Sequence, residues 1–542
     1  MASDPLVTPT PEGITIQPLY TERGAEPAPP GMAPYVRGAS SVPGARAFDV
    51  CMRADATTIA DELAGGADAV WVRFGDRDTI NAALGHGLAV VMDVSGMALV
   101  EHFKAVMHAR TAWLGFDPLD EVWRGELDPT ALPGRLVQLA GFTQRIVYQH
   151  QKGALGAQGH KVRAMRVSSL VFHAAGADAA DELALVLGKA VAYLRACVRE
   201  GLGLAESAAN LWVQVAVGRD TFGELCKLRA LRLLWWKLLA AAGLTELPLD
   251  ALHAVCSPRT QALRDPWVNM LRVTTEVFAA VLGGAQMIAP IAFDDVYGAP
   301  SALGQRTARN TALVLREESH LGKVLDAGGG SYYLEARTEA LAREAWDRFT
   351  MIERAGGLVA QLPAIRARLD QSWQARAALL AKRKEPVLGV SEFANLDEHL
   401  PAALPAQVAP HRDAEAFEAL RARGETQPAV VLVPLGPPAE YRARLGFAKG
   451  LFAVAGLATE EVAAVVAAGA HAIACLCGSD ERYATDAVTT AKALREAGFA
   501  HVVLAGRGGA LEKSLKEAGV DGFIFMGCDV VATLNALTGG PA

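Results

Sequence analysis

Leu211-Trp-Val-Gln-Val-Ala-Val217, then Gly-Arg-Asp220, then Thr221-Phe-Gly-Glu-Leu-Cys-Lys-Leu-Arg-Ala-Leu-Arg-Leu-Leu-Trp-Trp-Lys-Leu-Leu-Ala-Ala-Ala-Gly243 is the stretch on which the fold turns. Its first part is a short, nearly unbroken apolar run. Such a run suits a parallel strand covered on both faces, not a half-exposed one with alternating polarity. Its second part is a helix. Thr221 and Glu224 stand in capping-box spacing, and Gly243 stops it.

The same unit recurs outward in both directions. Strands are expected at Ala69–Phe74, Leu88–Val94, Arg166–Phe172, Ala254–Ser257 and Met287–Phe293. Over 178–200, Leu183, Val186, Leu187, Ala190, Val191 and Leu194 keep helical rhythm, with Lys189, Arg195 and Arg199 off the stripe. A further helix has Asp265 as its expected cap, Pro266 in its first turn and Gly283-Gly284 at its end. Strand–helix repetition across 46–365, without hairpin signals, favours an α/β fold of the (β/α)8 TIM-barrel type. A large doubly wound sheet is the alternative.

Residues 1–45 read as an extended arm, with Ile14, Ile16, Leu19 and Tyr20 between proline-rich pieces; such an arm must pack on its own domain or on a partner. Residues 366–427 read as a connecting belt: an Ala/Arg-rich helix, Pro386, Gly389-Val-Ser-Glu-Phe393 and a Pro/Ala-rich run. Residues 428–542 read as a small flavodoxin-like or Rossmann-like unit. Its strands are expected at Ala429–Leu435, Phe452–Val454, Ala472–Cys477, His501–Ala505 and Gly522–Met526, each followed by a helix, one of them opening at Thr459-Glu-Glu461.

A chain of 542 residues with 51% hydrophobic content can bury large cores. Its net charge of −7 does not suit a nucleic-acid surface. The one basic cluster, Lys382-Arg383-Lys384, reads as a solvated helix end, or a partner contact. No apolar run is long enough for a membrane span, and the polar N-terminus is not a signal peptide. The seven cysteines are scattered and lack zinc spacing; Cys475 and Cys477 read as buried thiols in a strand, as in a reducing, cytoplasmic protein.

Several motifs occur in one order. They are Ile16-Gln-Pro-Leu-Tyr20, Ala33-Pro-Tyr-Val-Arg-Gly38, Phe222-Gly-Glu-Leu-Cys-Lys-Leu-Arg-Ala-Leu-Arg232 with Trp235, and Val281-Leu-Gly-Gly-Ala-Gln286 with Phe293-Asp-Asp295. Arg306-Thr-Ala-Arg-Asn-Thr311, Glu317-Glu-Ser319, Gly328-Gly-Gly-Ser-Tyr-Tyr333 and Gly389-Val-Ser-Glu-Phe393 follow. The ordered set resembles the adenosylcobalamin-dependent acyl-CoA mutases of the methylmalonyl-CoA mutase family, over nearly the whole chain. The resemblance implies a barrel that encloses an acyl-CoA and a C-terminal domain that presents cobalamin.

The family's functional positions are not kept. Its cobalamin-binding members carry Asp-x-His-x-x-Gly after the first strand of the C-terminal domain; here Pro438, Glu440 and Ala443 stand at the aspartate, histidine and glycine. Proline cannot orient an imidazole, and a carboxylate is a poor substitute ligand for cobalt. Glu440 reads as a solvated loop residue. Gly506-Arg-Gly-Gly509 is similar to the glycine pair beside the nucleotide tail and reads as inherited turn chemistry. Phe48-Asp-Val-Cys-Met-Arg-Ala-Asp55 lacks the substrate tyrosine. The active-site histidine falls on Val171; His173 reads as a satisfied structural residue. Ala289, Pro290 and Ile291 replace three polar positions, and the substrate-binding Thr-Ile-Gln-Asn-Asp segment has no counterpart before Lys161.

The resemblance therefore implies the non-catalytic small subunit of a heterodimeric mutase. No catalytic, cofactor-binding or metal-binding residue is assigned to this chain. Adenosylcobalamin is placed in the catalytic large subunit, the expected partner; no nucleic acid or membrane partner is expected. Rival readings are an active mutase for another acyl-CoA, a free-standing binding protein on a dead mutase fold, and a TIM-barrel enzyme of unrelated chemistry. Trp235-Trp236 reads as core or interface. Arg229, Arg232, Arg306 and Arg309 read as ion-pair partners of residues such as Glu224 and Glu317. Gly328–Gly330 reads as a tight turn.

Overall fold

The structure, a computed structural model, describes residues 6–73, 89–93, 111–152, 161–400 and 411–540, apart from positions 23, 25, 26, 43, 45 and 399, together with Ala82. The arm opens with an antiparallel ladder, β1 (Thr8–Pro9) on β2 (Thr15–Ile16). Eight parallel strands follow: β3 (Asp49–Arg53), β4 (Ala69–Arg73), β5 (Ala89–Asp93), β6 (Thr111–Phe116), β7 (Lys161–Ser168), β8 (Leu211–Val217), β9 (Leu252–Cys256) and β10 (Met287–Ala289). They close into a barrel in the order β10-β3-β4-β5-β6-β7-β8-β9. The TIM-barrel expectation holds, and the doubly wound sheet is set aside for this part of the chain.

Two barrel strands, β3 and β6, escaped the sequence reading. Asp49 and Arg53 bracket only three apolar residues, and Gly115 interrupts the other run. The strand expected at Arg166–Phe172 lies earlier, at Lys161–Ser168, and Leu170–Ala174 is a helix. Charged residues hid its first half, yet Arg166 is buried and donates to Asp120 at 3.2 Å. β10 stops at Ala289 because Pro290 has no N–H for a ladder. Residues 74 and 94, expected strand ends, lie outside the described residues.

Most barrel strands alternate; β7 breaks the rhythm at Ala164-Met165, where its register with β6 shifts. Val50, Met52, Val70, Val72, Val213, Val215 and Ala254 point outward into the main core under the helices. Cys51, Trp71, Val91, Trp113, Trp212, Val255, Met287 and Ala289 point inward and form a second cluster. Among the covering helices, Ala179–Arg199 is capped by the Asp178 carboxylate, which accepts from Asp181 N at 2.8 Å. Thr221–Ala241 is capped by Asp220, accepting from Gly223 N at 3.0 Å, not by Thr221. Glu224 is drawn away from the cap by Lys227, at 2.6 Å. Helix Pro266–Leu282 has Pro266 at its start and Gly283-Gly284 after its end, as read, while its expected cap, Asp265, has φ +49°.

The chain divides into two compact units, Met1–Arg259 with Met270–Trp373, and Thr260–Asn269 with Gln374–Ala542. Helix Leu358–Ala381 runs through position 365, where the sequence placed the end of the barrel. The second unit holds a parallel sheet of β11 (Val430–Pro434), β12 (Thr459–Glu461), β13 (Ile473–Cys477), β14 (His501–Ala505) and β15 (Gly522–Ile524), in the order β12-β11-β13-β14-β15. Phe452–Val454, expected as a strand, ends helix Pro438–Val454. Leu445, Ala448, Leu451 and Phe452 are its buried stripe, and helical spacing outweighs local β propensity. Thr459–Glu461, read as a helix start, is β12, and residues 462–472 after it contain no helix. In the expected belt, Glu415–Gly424 is helical and residues 401–410 lie outside the described residues. Among the described residues, no helix is long and apolar enough to cross a membrane.

Candidate functional site

In a TIM barrel, function is sought at the carboxyl ends of the strands and in the lumen beneath them. Here the lumen is filled. Trp113 and Trp212 lie with ring centroids 5.7 Å apart, and Trp212 Nε1 donates to Leu114 O at 2.8 Å. His253 stands edge-on to Trp71 at 5.7 Å and meets Gln214 Nε2 through Nδ1 at 3.1 Å. Burial, with Arg166 nearby, pushes the His253 pKa down to about 3, so the imidazole is neutral. At the mouth, the Arg53 guanidinium lies 5.3 Å over the Trp71 ring and pairs with Asp295 at 3.3 Å. Arg53, Trp71, Val255, Ala289 and Asp295 bound a void of about 20 Å³ there. This is a packed core of aromatic side chains, with Ala289, Pro290 and Ile291 where the family has polar ones.

His173 follows β7 on helix Leu170–Ala174. Its Nδ1 meets Glu182 at 2.9 Å and its Nε2 meets Ser257 Oγ at 2.6 Å. The chain of groups has the connectivity of an acyl-transfer triad. Ser257 is fully buried and His173 is 2% exposed, so no carbonyl can reach the hydroxyl. Lys227 adds a cation 3.2 Å from Glu182, and Ser169 Oγ donates to it at 2.6 Å. Burial and Arg259 push the His173 pKa down to about 4. Burial alone would raise Glu182, but Lys227 and His173 hold it at about 2. Val171, where the resemblance puts the family's histidine, is a partly buried apolar residue packed on the core.

Three of the four arginines are engaged, though with other partners than expected. Arg229 pairs with Asp326 and with Glu335 at 2.6 Å. Arg232 donates to the backbone carbonyls of Val36, at 2.9 Å, and Gly283. Arg309 pairs with Glu62 at 2.6 Å. Glu317 is taken by Arg316 at 2.7 Å, and Arg306 is exposed. Gly328–Gly330 is a turn, closed by Gly330 N donating to Glu335 at 3.0 Å. Trp235 is buried and Trp236 half-buried. One buried cluster was not foreseen: Lys189, read as lying off the apolar stripe, is fully buried. It holds Asp117 at 3.0 Å, Asp120, and Ser168 O at 2.9 Å, with Tyr193 donating to Asp117. The spacing Asp117-x-x-Asp120 at a helix start was its only sequence signal.

In the C-terminal unit, Pro438, Glu440 and Ala443 lie in the first turns of helix Pro438–Val454, not in a loop. The Glu440 carboxylate accepts from Arg482 Nε at 2.7 Å. The Tyr483 hydroxyl accepts from Gly478 N at 2.9 Å and donates to Ala505 O at 2.7 Å, stitching the ends of β13 and β14. Gly506–Gly509 edges a cavity of about 630 Å³ that also touches Arg444, Arg507 and Phe525. All seven cysteines are buried and free. Among the described residues, no group of three His, Cys, Asp or Glu side chains is placed to hold a metal ion.

Comparison with known proteins decides the lineage. The family model described as methylmalonyl-CoA mutase matches residues 154–435, over half of the chain. The chain belongs to the methylmalonyl-CoA mutase family. It is 37% identical to the methylmalonyl-CoA mutase small subunit of Streptomyces virginiae, over 99% of this chain and 92% of that protein. It is 35% identical to the methylmalonyl-CoA mutase small subunit of Propionibacterium freudenreichii subsp. shermanii, over 69% of this chain and 62% of that protein. With the methylmalonyl-CoA mutase of Escherichia coli (strain K12), the match is 32% identical over only 40% of this chain and 31% of that protein. The likeness to the Streptomyces virginiae small subunit thus spans nearly the full length of this chain, and that to the Escherichia coli mutase well under half of it.

Proposed function

We propose that this chain is the non-catalytic small subunit of an adenosylcobalamin-dependent methylmalonyl-CoA mutase. In this reading it pairs in the cytoplasm with a catalytic large subunit that interconverts methylmalonyl-CoA and succinyl-CoA. The observation that carries the reading is the aromatic packing of the barrel lumen, where Trp71, Trp113 and Trp212 occupy the space an enclosed acyl thioester needs. Radical rearrangement requires a dry pocket with polar groups gripping the substrate. Here two polar groups at the mouth, Arg53 and Asp295, grip each other.

The residues at the C-terminal sheet edge do not fit cobalamin either. The family's cobalt-ligating position is Glu440, a carboxylate committed to Arg482 in a helical turn. Pro438, at the preceding orienting position, is the first helical residue and offers no side-chain acceptor. The cofactor is therefore assigned to the partner, and this chain serves as a scaffold.

The test is mutase turnover and cobalamin content of this chain alone, of the catalytic large subunit alone, and of the two co-expressed. Cobalamin and turnover are expected to follow the large subunit, with this chain bound tightly to it and holding none. Cobalamin or acyl-CoA conversion by this chain alone would replace the reading with that of an active mutase. A chain that stays monomeric beside the large subunit would favour a free-standing binding protein.

A further inference from the structure

The cavity of about 630 Å³ in the C-terminal unit opens at the carboxyl ends of β13, β14 and β15. Open α/β sheets bind ligands at that end, and small-molecule sites commonly measure ~300–1,000 Å³. Part of its wall is apolar: Ile524 of β15, with Leu511 and Leu515 from the segment after β14. Other lining residues are charged. Arg507 follows β14, and its guanidinium lies 4.7 Å over the ring of Phe525, which also lines the cavity. Arg507 is exposed and has no carboxylate partner among the described residues. Arg444 is already committed: it donates to Gly478 O at 2.7 Å and to the Asp480 carboxylate at 2.6 Å. The Asp480 side chain is 75% exposed and keeps acceptor capacity beyond that one bond.

Each feature selects one part of a ligand. A single uncommitted guanidinium suits a single phosphate group, which it can take through two parallel hydrogen bonds. A carboxylate lining the same cavity disfavours a polyphosphate but accepts from sugar hydroxyls, as acidic residues do at ribose sites. The apolar wall with the Phe525 ring suits a flat base. Inorganic phosphate would leave most of the cavity empty, and an uncharged nucleoside would leave Arg507 without an anion. We infer that this cavity is a binding site for a free nucleoside monophosphate, with Arg507 holding the phosphate and Asp480 the sugar hydroxyls. The inference goes beyond the subunit reading and does not depend on it: every residue involved lies in this chain, and a free nucleotide brings no cobalt chemistry.

The test is calorimetric titration of the full chain, without any partner, with adenosine monophosphate, adenosine and inorganic phosphate in turn. The monophosphate is expected to bind one to one, and more tightly than either of its parts. Arg507→Ala, a change at an exposed side chain checked for folding by circular dichroism, should weaken the monophosphate about tenfold or more and leave adenosine unaffected. A nucleotide can also arrive as the tail of a corrinoid, so the titration is repeated with hydroxocobalamin present. Unchanged binding of the monophosphate supports a site for the free nucleotide; displacement would assign the cavity to a corrinoid tail and overturn the inference. No heat at millimolar monophosphate, adenosine or phosphate binding as tightly as the monophosphate, or full affinity in the folded Arg507→Ala chain would each overturn it too.

Discussion

Glu440 and Arg482 hold each other at 2.7 Å beside the carboxyl ends of β11 and β13. In cobalamin-binding relatives, the resemblance puts the cobalt-ligating histidine at position 440. Here that position is neutralised by an arginine and lies on a helix that Pro437-Pro438 begins. A Cβ on Gly436 (φ +83°) would fall 2.7 Å from both side chains, so the turn before the helix also needs this glycine.

Restoring the histidine alone is therefore not enough. Glu440→His removes the carboxylate, but no acceptor stands at position 438 to fix the imidazole tautomer, a hydrogen bond worth ~10–100-fold in affinity. The variant is expected to stay folded and to bind no cobalamin. Mixing it with hydroxocobalamin, desalting and recording the visible spectrum checks this. A retained corrin band would mean that the helical turn was never the obstacle.

Lys189 is the keystone of the barrel's unforeseen ion cluster. Replacing it by Met leaves Asp117 and Asp120 buried with Arg166 and, at Asp120, the half-exposed Arg124 as their remaining close cations. Removing one partner of a buried ion pair costs ~3–5 kcal/mol. Lys189→Met is expected to lower the urea midpoint of the chain steeply or to prevent its accumulation in soluble form. A midpoint within error of the parent would show that Arg166 and Tyr193 suffice.

These cases mark where the sequence was legible. β8 and β14 were read to the residue, because each is an apolar run bounded by turn residues. β7 was misplaced because Lys161 and Arg163 look like exterior residues until the pairing of Arg163 with Asp250 is known. Lys189 was misread for the same reason: a lysine off an apolar stripe is ordinarily solvated, and only the tertiary approach of Asp117 and Asp120 buries it. The glutamate at position 440 was legible as an identity, but not its ion pair, since Arg482 is distant in sequence. The blocked lumen was not legible at all. Trp71, Trp113 and Trp212 lie on three different strands, and only barrel closure brings them together.

Stability should fall on the acid side through two histidines. Burial lowers the pKa of His173 to about 4 and of His253 to about 3. The unfolded chain takes up these protons near pH 6.5, so the stabilisation is complete above that value and is lost as the pH drops toward 4. Each histidine contributes a slope of up to ~1.4 kcal/mol per pH unit. Glu182, held at about 2, adds its own loss below pH ~4.5. Urea unfolding at pH 7, 6 and 5 should show the decline, and His253→Leu should make it shallower by one proton. An unchanged slope in that variant would place a charged imidazole in the lumen.

The last prediction concerns the arm. Part of it serves its own unit: Arg348 donates to Glu12 O at 3.1 Å, Arg37 pairs with Asp326 at 2.9 Å, and Tyr20 lies 5.4 Å from Tyr333. Yet Leu6, Leu19 and Met32 remain 68%, 74% and 58% exposed. An extended apolar segment gains stability only by burial, and these side chains stay largely uncovered among the described residues. Deleting residues 1–30 removes Leu6 and Leu19 but keeps Arg37 and its pair with Asp326. The truncated chain should therefore fold and show a weakened hold on the catalytic large subunit. Co-purification of the pair, with circular dichroism of the truncated chain as the control, measures this. Full yield from a folded truncation would confine the arm to its own barrel and leave the partner surface to be sought elsewhere on the chain.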